Sequence, residues 1–368
     1  ASSSPERLLH LGRFRHVPLA DPARLVALVA AFLIWAGYSW RFDFLCDDAF
    51  ISFRYARHLA SGEGLRFNLG PHVPVEGYSN LLWVLFLGGA HGVGLDLLIV
   101  ARVATACCAG VLILQLERFL LARVRPSARI VGLLAFASCP LVFVWSTGGL
   151  VPMPATLAAF TLFISLSSKR RMVAALAGVA LVTLRVDGFV LAGCVFAASV
   201  VTASASGRSV RDFVREIWWV ATAIAVAVLA QELFRGLYHG DWIPNTARVK
   251  TGFTAFRLER GARYVVGNLL AVISLPLILA TAPLARFRSR KDGIVAGSFA
   301  FCVLLIAYVT VAGGDYMAFG RFLVPLTPFI AIIAAYSSDA VADRSPIAAG
   351  LLGLPLALGG LLAAHDLH

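Results

Sequence analysis

The 368-residue chain is 59% hydrophobic and only 14% charged, with a mean hydropathy of +0.82. That composition excludes an ordinary water-soluble domain, which is roughly half apolar and a quarter charged. The formal net charge of +12 is not a nucleic-acid footprint, because in a polytopic membrane chain a basic excess marks loops retained on the cytoplasmic side; the expected partner is the lipid bilayer and not a nucleic acid.

The first 23 residues are basic and show no cleavage site before the first apolar run, so they read as a cytoplasmic tail rather than a signal peptide. Apolar runs then predict spanning helices at 24–41, 97–119, 130–147, 150–168, 172–185, 187–205, 216–236, 265–285, 293–312, 321–338 and 346–364. The expected fold class is all-α, a polytopic integral membrane protein with about eleven transmembrane helices between 24 and 364. Its first outer loop (42–96) is long and carries short juxtamembrane helices, and a second large outer loop covers 237–264. Residues 365–368 then end outside, where a soluble extracytoplasmic domain of a longer parent would follow.

The stretch 79–92 is apolar but short, and counting it as a span would reverse every later helix. Lysine and arginine decide the matter. With 79–92 re-entrant or interfacial, Arg118–Arg129, Lys169-Arg170-Arg171, Arg208–Arg215 and Arg286–Lys291 all fall inside, as the positive-inside rule requires. The same choice gathers the unusual polar segments outside: CDDAFISFRYAR (46–57), VEGYSN (75–80), STGG (146–149), LRVDGF (184–189), YHGDWIPNTARVK (238–250) and GGDYMAFGR (313–321). Ionisable groups at membrane depth are costly and point to a site.

Each candidate has a plain reading beside a functional one. Asp47 or Asp48 caps a short helix, a common job for Asp, or serves as a general base; two adjacent acids repel, so one calls for a compensating base or metal. A helix begun near Asp47 places Arg54 on the same face as that acid and leaves Tyr55 and Arg57 free to face headgroups. Glu76, Tyr78, Ser79 and Asn80 open the short 79–92 stretch, where Ser and Asn make a capped helix start, and Trp242 reads as an interfacial aromatic. Lys250 and Arg248, following Pro244 and Asn245, are interfacial snorkels or phosphate ligands. Arg185 and Asp187 make a salt-bridged turn or a site, and Asp315 with Arg321 repeats that chemistry after Gly313-Gly314. The cysteines lie mostly in apolar runs and act as small hydrophobes; only Cys46 is in a polar loop, with no disulfide partner evident. His239 and Asp241 read as loop residues rather than metal ligands.

The order of these motifs resembles the GT-C superfamily of polytopic glycosyltransferases that use polyprenyl-phosphate sugars, and within it the bacterial branch of the type B terminal arabinofuranosyltransferases. DDAFISFRYARHLASGEGLRFNLG with VEGYSNLLW looks like that branch's first-loop signature. LRVDGF, YHGDWIPNTARVK and GGDYMAFGRFLVPL are similar to its later segments, so the likeness runs from about 24 to 340. Two departures stand out. Val151 follows Gly149-Leu150 where the family often has an acid, and the family's R-P-E becomes Arg185-Val186-Asp187.

The resemblance implies transfer of a sugar, D-arabinofuranose by this branch, from a polyprenyl monophosphate donor to an extracytoplasmic glycan acceptor at the plasma membrane of a bacterium. It implies Asp47 or Asp48 as the catalytic carboxylate, with Asp47 favoured for its shared face with Arg54. Lys250, Arg185, Arg321 and Arg54 would meet the donor phosphate. Glu76, Tyr78, Asn80, Asp187, Asn245 and Asp315 would meet sugar and acceptor. A monophosphate donor has no diphosphate to bridge, so no metal or other cofactor is expected to be obligatory. The alternatives are a transporter or flippase for a lipid-linked sugar, a GT-C enzyme using another sugar or a protein acceptor, and a non-catalytic scaffold. Against the transporter stand the lack of an internal repeat and of paired broken helices.

Overall fold

The computed structural model describes residues 22–71, 73–242, 254–271, 281, 293–317, 319–342 and 345. Among the described residues every regular element is helical. The first part of the chain folds as α1 (Pro22–Arg41), α2 (Asp48–Ala60), α3 (Leu81–Gly92), α4 (Leu97–Leu121), α5 (Pro126–Ala137) and α6 (Pro140–Trp145). Next come α7 (Pro152–Ser167), α8 (Arg171–Leu184), α9 (Gly188–Ala205) and α10 (Val210–His239). The last part holds α11 (Ala255–Ala271), α12 (Ile294–Ala312), a 3₁₀ segment (Arg321–Leu326) and α13 (Thr327–Ala342).

Five segments are long and apolar enough to cross a membrane: α4, α9, α10, α12 and the rod Arg321–Ala342. At 20 residues, or about 30 Å, α1 has the length as well. It turns Leu25, Val29 and Leu33 outward and buries Ala27 and Ala31, a stripe for lipid backed by small residues for close packing. This is a multi-pass membrane protein.

The rod Arg321–Ala342 is the centre of the bundle. Phe329 packs on Phe301 at 4.0 Å between ring centroids and on Phe163 at 5.1 Å, and its neighbours from Phe329 to Tyr336 are all buried. A helix apolar on every side must be enclosed by protein. The lipid-facing surface falls to its neighbours, with Ile99 and Val103 exposed on α4 and Val226, Leu229 and Leu233 on α10.

Antiparallel α1 and α4 are tied at both ends. Arg24 forks onto Glu117 at 2.9 and 3.1 Å, while Asp43 pairs with Arg102 at the other end. The Arg24 end also holds the Arg171–Glu216–Arg208 cluster and is the basic end of the bundle.

Two expectations change in the structure, for 130–147 and Tyr55, and one is kept, the non-spanning 79–92. The predicted span 130–147 is two helices, because Pro140 cannot continue α5 and forces Cys139 into extended backbone (φ −72°, ψ 123°). The stretch 79–92 forms α3, only 12 residues and about 18 Å long, too short to span; it packs against α2 as a juxtamembrane pair. Tyr55, expected at the surface, is fully buried: its hydroxyl donates to the Val75 carbonyl at 2.7 Å and accepts from the Gly77 N–H at 2.8 Å. The tail 1–21, the predicted span 346–364, most of 265–285, and Asn245, Arg248 and Lys250 lie outside the described residues.

Helix α11 rests on the end of α12. Arg257 and Arg260 donate to the carbonyls of Ala312 and Gly313 at 3.1 and 2.9 Å, satisfying a helix C-terminus with cations, as its dipole favours. Gly261 lies so close to the Thr310 carbonyl that any Cβ would collide with it. Gly261→Ala is therefore expected to cost about 1–3 kcal/mol through overpacking, read as a lower unfolding temperature in detergent; an unchanged temperature would mean the contact is looser than described.

Candidate active site

The described parts of six polar segments of the sequence meet at the end of the bundle opposite the basic cluster. The strap 42–47 crosses the 146–149 turn: Phe44 N–H donates to Thr147 Oγ1 at 3.4 Å, and Cys46 N–H to the Gly148 carbonyl at 3.2 Å. The 313–321 loop closes over that turn, with Trp145 Nε1 donating to the Phe319 carbonyl at 2.7 Å. Val186 N–H donates to the Ser79 carbonyl at 3.0 Å, bringing 184–189 beside 75–80. The last turn of α10 joins them through His239.

The two acids of the Asp47-Asp48 pair have separate roles. Asp47 is exposed and caps α2, its Oδ1 accepting from the Asp48 N–H at 2.9 Å. Asp48 is the acid drawn into the site: Oδ2 accepts from Arg321 Nη1 at 3.0 Å and Oδ1 from Tyr316 Oη at 3.2 Å. The ground for preferring Asp47, an Arg54 above it on the same face, is not what the structure shows: Arg54 donates to Asn68 Oδ1 at 3.2 Å and lies over the Phe67 ring at 4.4 Å. The compensating base that an acid pair calls for is Arg321.

Arg321 also holds Asp315, with Nη2 donating to Oδ1 at 3.2 Å and Nε facing Oδ2. Local sequence explains that reach. Gly313 and Gly314 both have positive φ (84° and 64°), and a Cβ at Gly314 would come 2.6 Å from Tyr264 of α11, so only glycine lets the chain turn there. Tyr264 Oη in turn accepts from the Phe322 N–H at 3.3 Å.

The second ion pair lies across Phe322. Arg185 forks onto Asp187 at 2.7 and 2.6 Å, and Tyr308 Oη donates to Asp187 Oδ2 at 2.7 Å. Burial works against both charges but their mutual attraction wins, so the Asp187 carboxyl is held below its usual range and the Arg185 guanidinium above its own. The guanidinium carbons of Arg185 and Arg321 stand 5.0 and 5.3 Å from the Phe322 ring centroid. Two cations thus share one aromatic ring.

The 75–80 segment is built differently from what its polarity promised. Glu76 is buried and forks onto buried Arg235 of α10, which also meets Glu232. His239 Nδ1 is 2.9 Å from the Pro74 carbonyl; that oxygen only accepts, so Nδ1 carries a proton and neutral Nε2 accepts from Tyr78 Oη at 3.1 Å. Asn80 exchanges hydrogen bonds with Ser52 of α2 at 3.0 and 3.4 Å. These three predicted sugar ligands have their polar atoms engaged in fastening the first loop to α2 and α10. Burial pushes the Cys46 thiol up to about 11, so it stays protonated and is no nucleophile.

No protein-family model and no curated protein sequence matches the chain. Solved structures do. ArnT from Cupriavidus metallidurans bound to undecaprenyl phosphate superposes with a TM-score of 0.59 at 15% identity, over 90% of this chain and 64% of that one. The same protein in its apo state gives 0.60 at 15% identity, over 88% and 61%. The fold is GT-C. The chain spans less than two thirds of ArnT's length, and the likeness carries the superfamily fold without singling out the arabinofuranosyltransferase branch.

Sequence reading named Asp48, Glu76, Arg185, Asp187, Asp315 and Arg321, and it overlooked residues that the structure sets beside them. Arg235 had a signal, an ionisable residue at the edge of an apolar run. Tyr308 and Tyr264 had none, since a tyrosine in an apolar helix or just before an apolar run is ordinary. Tyr316 was not singled out; burial and the neighbouring Asp48 raise its hydroxyl above the usual range, so it remains a donor to that carboxylate. Val151, standing where the family often has an acid, packs against the core.

Proposed function

We propose that this protein is a membrane glycosyltransferase that takes a sugar from a polyprenyl monophosphate donor, with Asp48 as the carboxylate acting on the acceptor. The observation carrying this reading is the convergence, at one end of a GT-C bundle, of an ion-paired carboxylate with two arginines disposed around Phe322. In the reaction the acceptor oxygen forms its bond to the anomeric carbon while the bond from that carbon to the phosphate oxygen breaks. The acceptor proton passes to Asp48. Arg321 and Arg185, joined by Lys250, stabilise the charge gathering on the departing lipid phosphate, so no obligatory metal is proposed.

The ArnT neighbour bound to undecaprenyl phosphate supports the class of lipid. The first-loop and GGDYMAFGR resemblances support D-arabinofuranose as the sugar, a glycan as acceptor and an extracytoplasmic site at the bacterial plasma membrane. Purified protein offered a panel of polyprenyl-phosphate sugars, with and without EDTA, tests all of this together. One donor is expected to be consumed, at a rate that EDTA leaves unchanged. Saturable binding with no consumption would move the reading to a carrier of the same lipid, and a requirement for Mg²⁺ or Mn²⁺ would make the acids a metal site.

A further inference from the structure

We infer that Arg321 is exchanged between Asp48 and the donor's phosphate, so that the carboxylate acting on the acceptor stays masked until donor is bound. The inference rests on the reading proposed above and concerns the regulation of that same site.

Arg321 serves two carboxylates with one positive charge, and its grip on them is unequal. Its Nε and Nη2 edge faces Asp315, whose side chain is fully covered and whose Oδ1 also accepts from the Tyr316 N–H at 3.0 Å. Asp48 receives a single N–H from Nη1, and its side chain remains 27% exposed. A covered carboxylate that loses its cation is left as an uncompensated buried charge, whereas a part-exposed one can turn to water. Asp315 is therefore the fixed anchor and Asp48 the replaceable partner.

Both oxygens of Asp48 are occupied in this arrangement, one by Arg321 and the other by Tyr316. In that arrangement the Asp48 oxygens are turned to the guanidinium and the phenol rather than to an acceptor hydroxyl. The cluster also explains how an anion finds a place among acids. Asp48, Asp315 and Asp187 outnumber Arg321 and Arg185 among these partners, and Arg185 holds Asp187 through Nε and Nη2. A phosphate entering beside Phe322 gains Arg321 Nη1 by drawing it away from Asp48. That exchange frees the carboxylate in the same step, next to the leaving group it must serve. Donor binding and base activation become one event, with donor first and acceptor proton second.

Linkage makes the inference measurable without turnover. If Asp48 and phosphate compete for Arg321, removing the Asp48 charge strengthens phosphate binding by the same factor that phosphate weakens the Asp48–Arg321 pair. Binding of undecaprenyl phosphate to the purified full chain in detergent is measured for wild type, Asp48→Asn and Tyr316→Phe. Asp48→Asn is expected to bind about five- to tenfold tighter while losing turnover. Tyr316→Phe removes one hydrogen bond from an exposed ring and leaves the buried contacts alone; Asp48 then leans harder on Arg321, so binding is expected to weaken by a smaller factor, which keeps the test alive if the Asn variant misfolds. Wild-type binding with neither tightening in Asp48→Asn nor weakening in Tyr316→Phe would overturn the exchange and leave the glycosyltransferase reading standing. Absence of binding in wild type and variants alike would overturn both.

Discussion

Asp48→Asn is expected to lower kcat by about 10²–10⁴-fold, the range spanned by general-base groups, while Asp47→Asn stays within about threefold of wild type. The two residues are neighbours of identical chemistry, so composition and net charge change equally in the two variants. They differ in partners. Asp47 turns back to cap α2, and Asn caps a helix about as well as Asp. Asp48 faces Arg321 and Tyr316, and an amide there keeps one acceptor for Arg321, turns a donor toward Tyr316 and cannot take a proton. Steady-state kinetics at saturating donor separates the two. Equal losses would mean that the acids act as a pair and that the assignment to Asp48 alone is wrong.

Replacing Arg235 with Met is expected to loosen the whole first loop. Arg235 is 2% exposed and Glu76 6%; deleting one partner of a buried ion pair leaves an uncompensated charge, at a cost of about 3–5 kcal/mol. Glu232 stands partly in water and pairs weakly by comparison. The loss falls on the segment between α2 and α3, because Glu76, Tyr78 and His239 are its fastenings. Trypsin cleavage at Arg66 reports loop opening, and a lower unfolding temperature reports the energy. The double variant Glu76→Gln with Arg235→Met removes both charges and is expected to recover much of the loss. If it fares no better than the single variant, the ion pair is not what holds the loop.

The all-helical membrane fold was legible because apolar run length and the placement of basic residues are direct consequences of the bilayer. The convergence of polar segments followed from the same bookkeeping once α3 was excluded as a span. What stayed closed was tertiary. Nothing local distinguishes Asp47 from Asp48; the residue that does so, Arg321, lies 273 positions away. Arg185 and Asp187 were visible as a pair, but their tie to Tyr308 crosses from the α8–α9 junction to α12. Glu76, Tyr78 and Asn80 looked like ligands because polarity at membrane depth is ambiguous. It marks a site when the groups are free and a fastening when they satisfy one another. The break at Pro140 was written in the sequence and outweighed by the apolar run around it.

Helix α10 has 30 residues, about 45 Å at the usual rise, against a hydrocarbon layer of about 30 Å. A helix of that length can carry an end past the lipid tails, and its last turns hold the first loop through Arg235 and His239. The loop bearing Asp48 is suspended from a post rooted in the bilayer, and its height above the headgroups is set by protein. A donor anchored in the same bilayer presents its phosphate at a height set by its own tail. Under the proposed function the two reactants arrive already level, and what remains of the encounter is a lateral search in two dimensions.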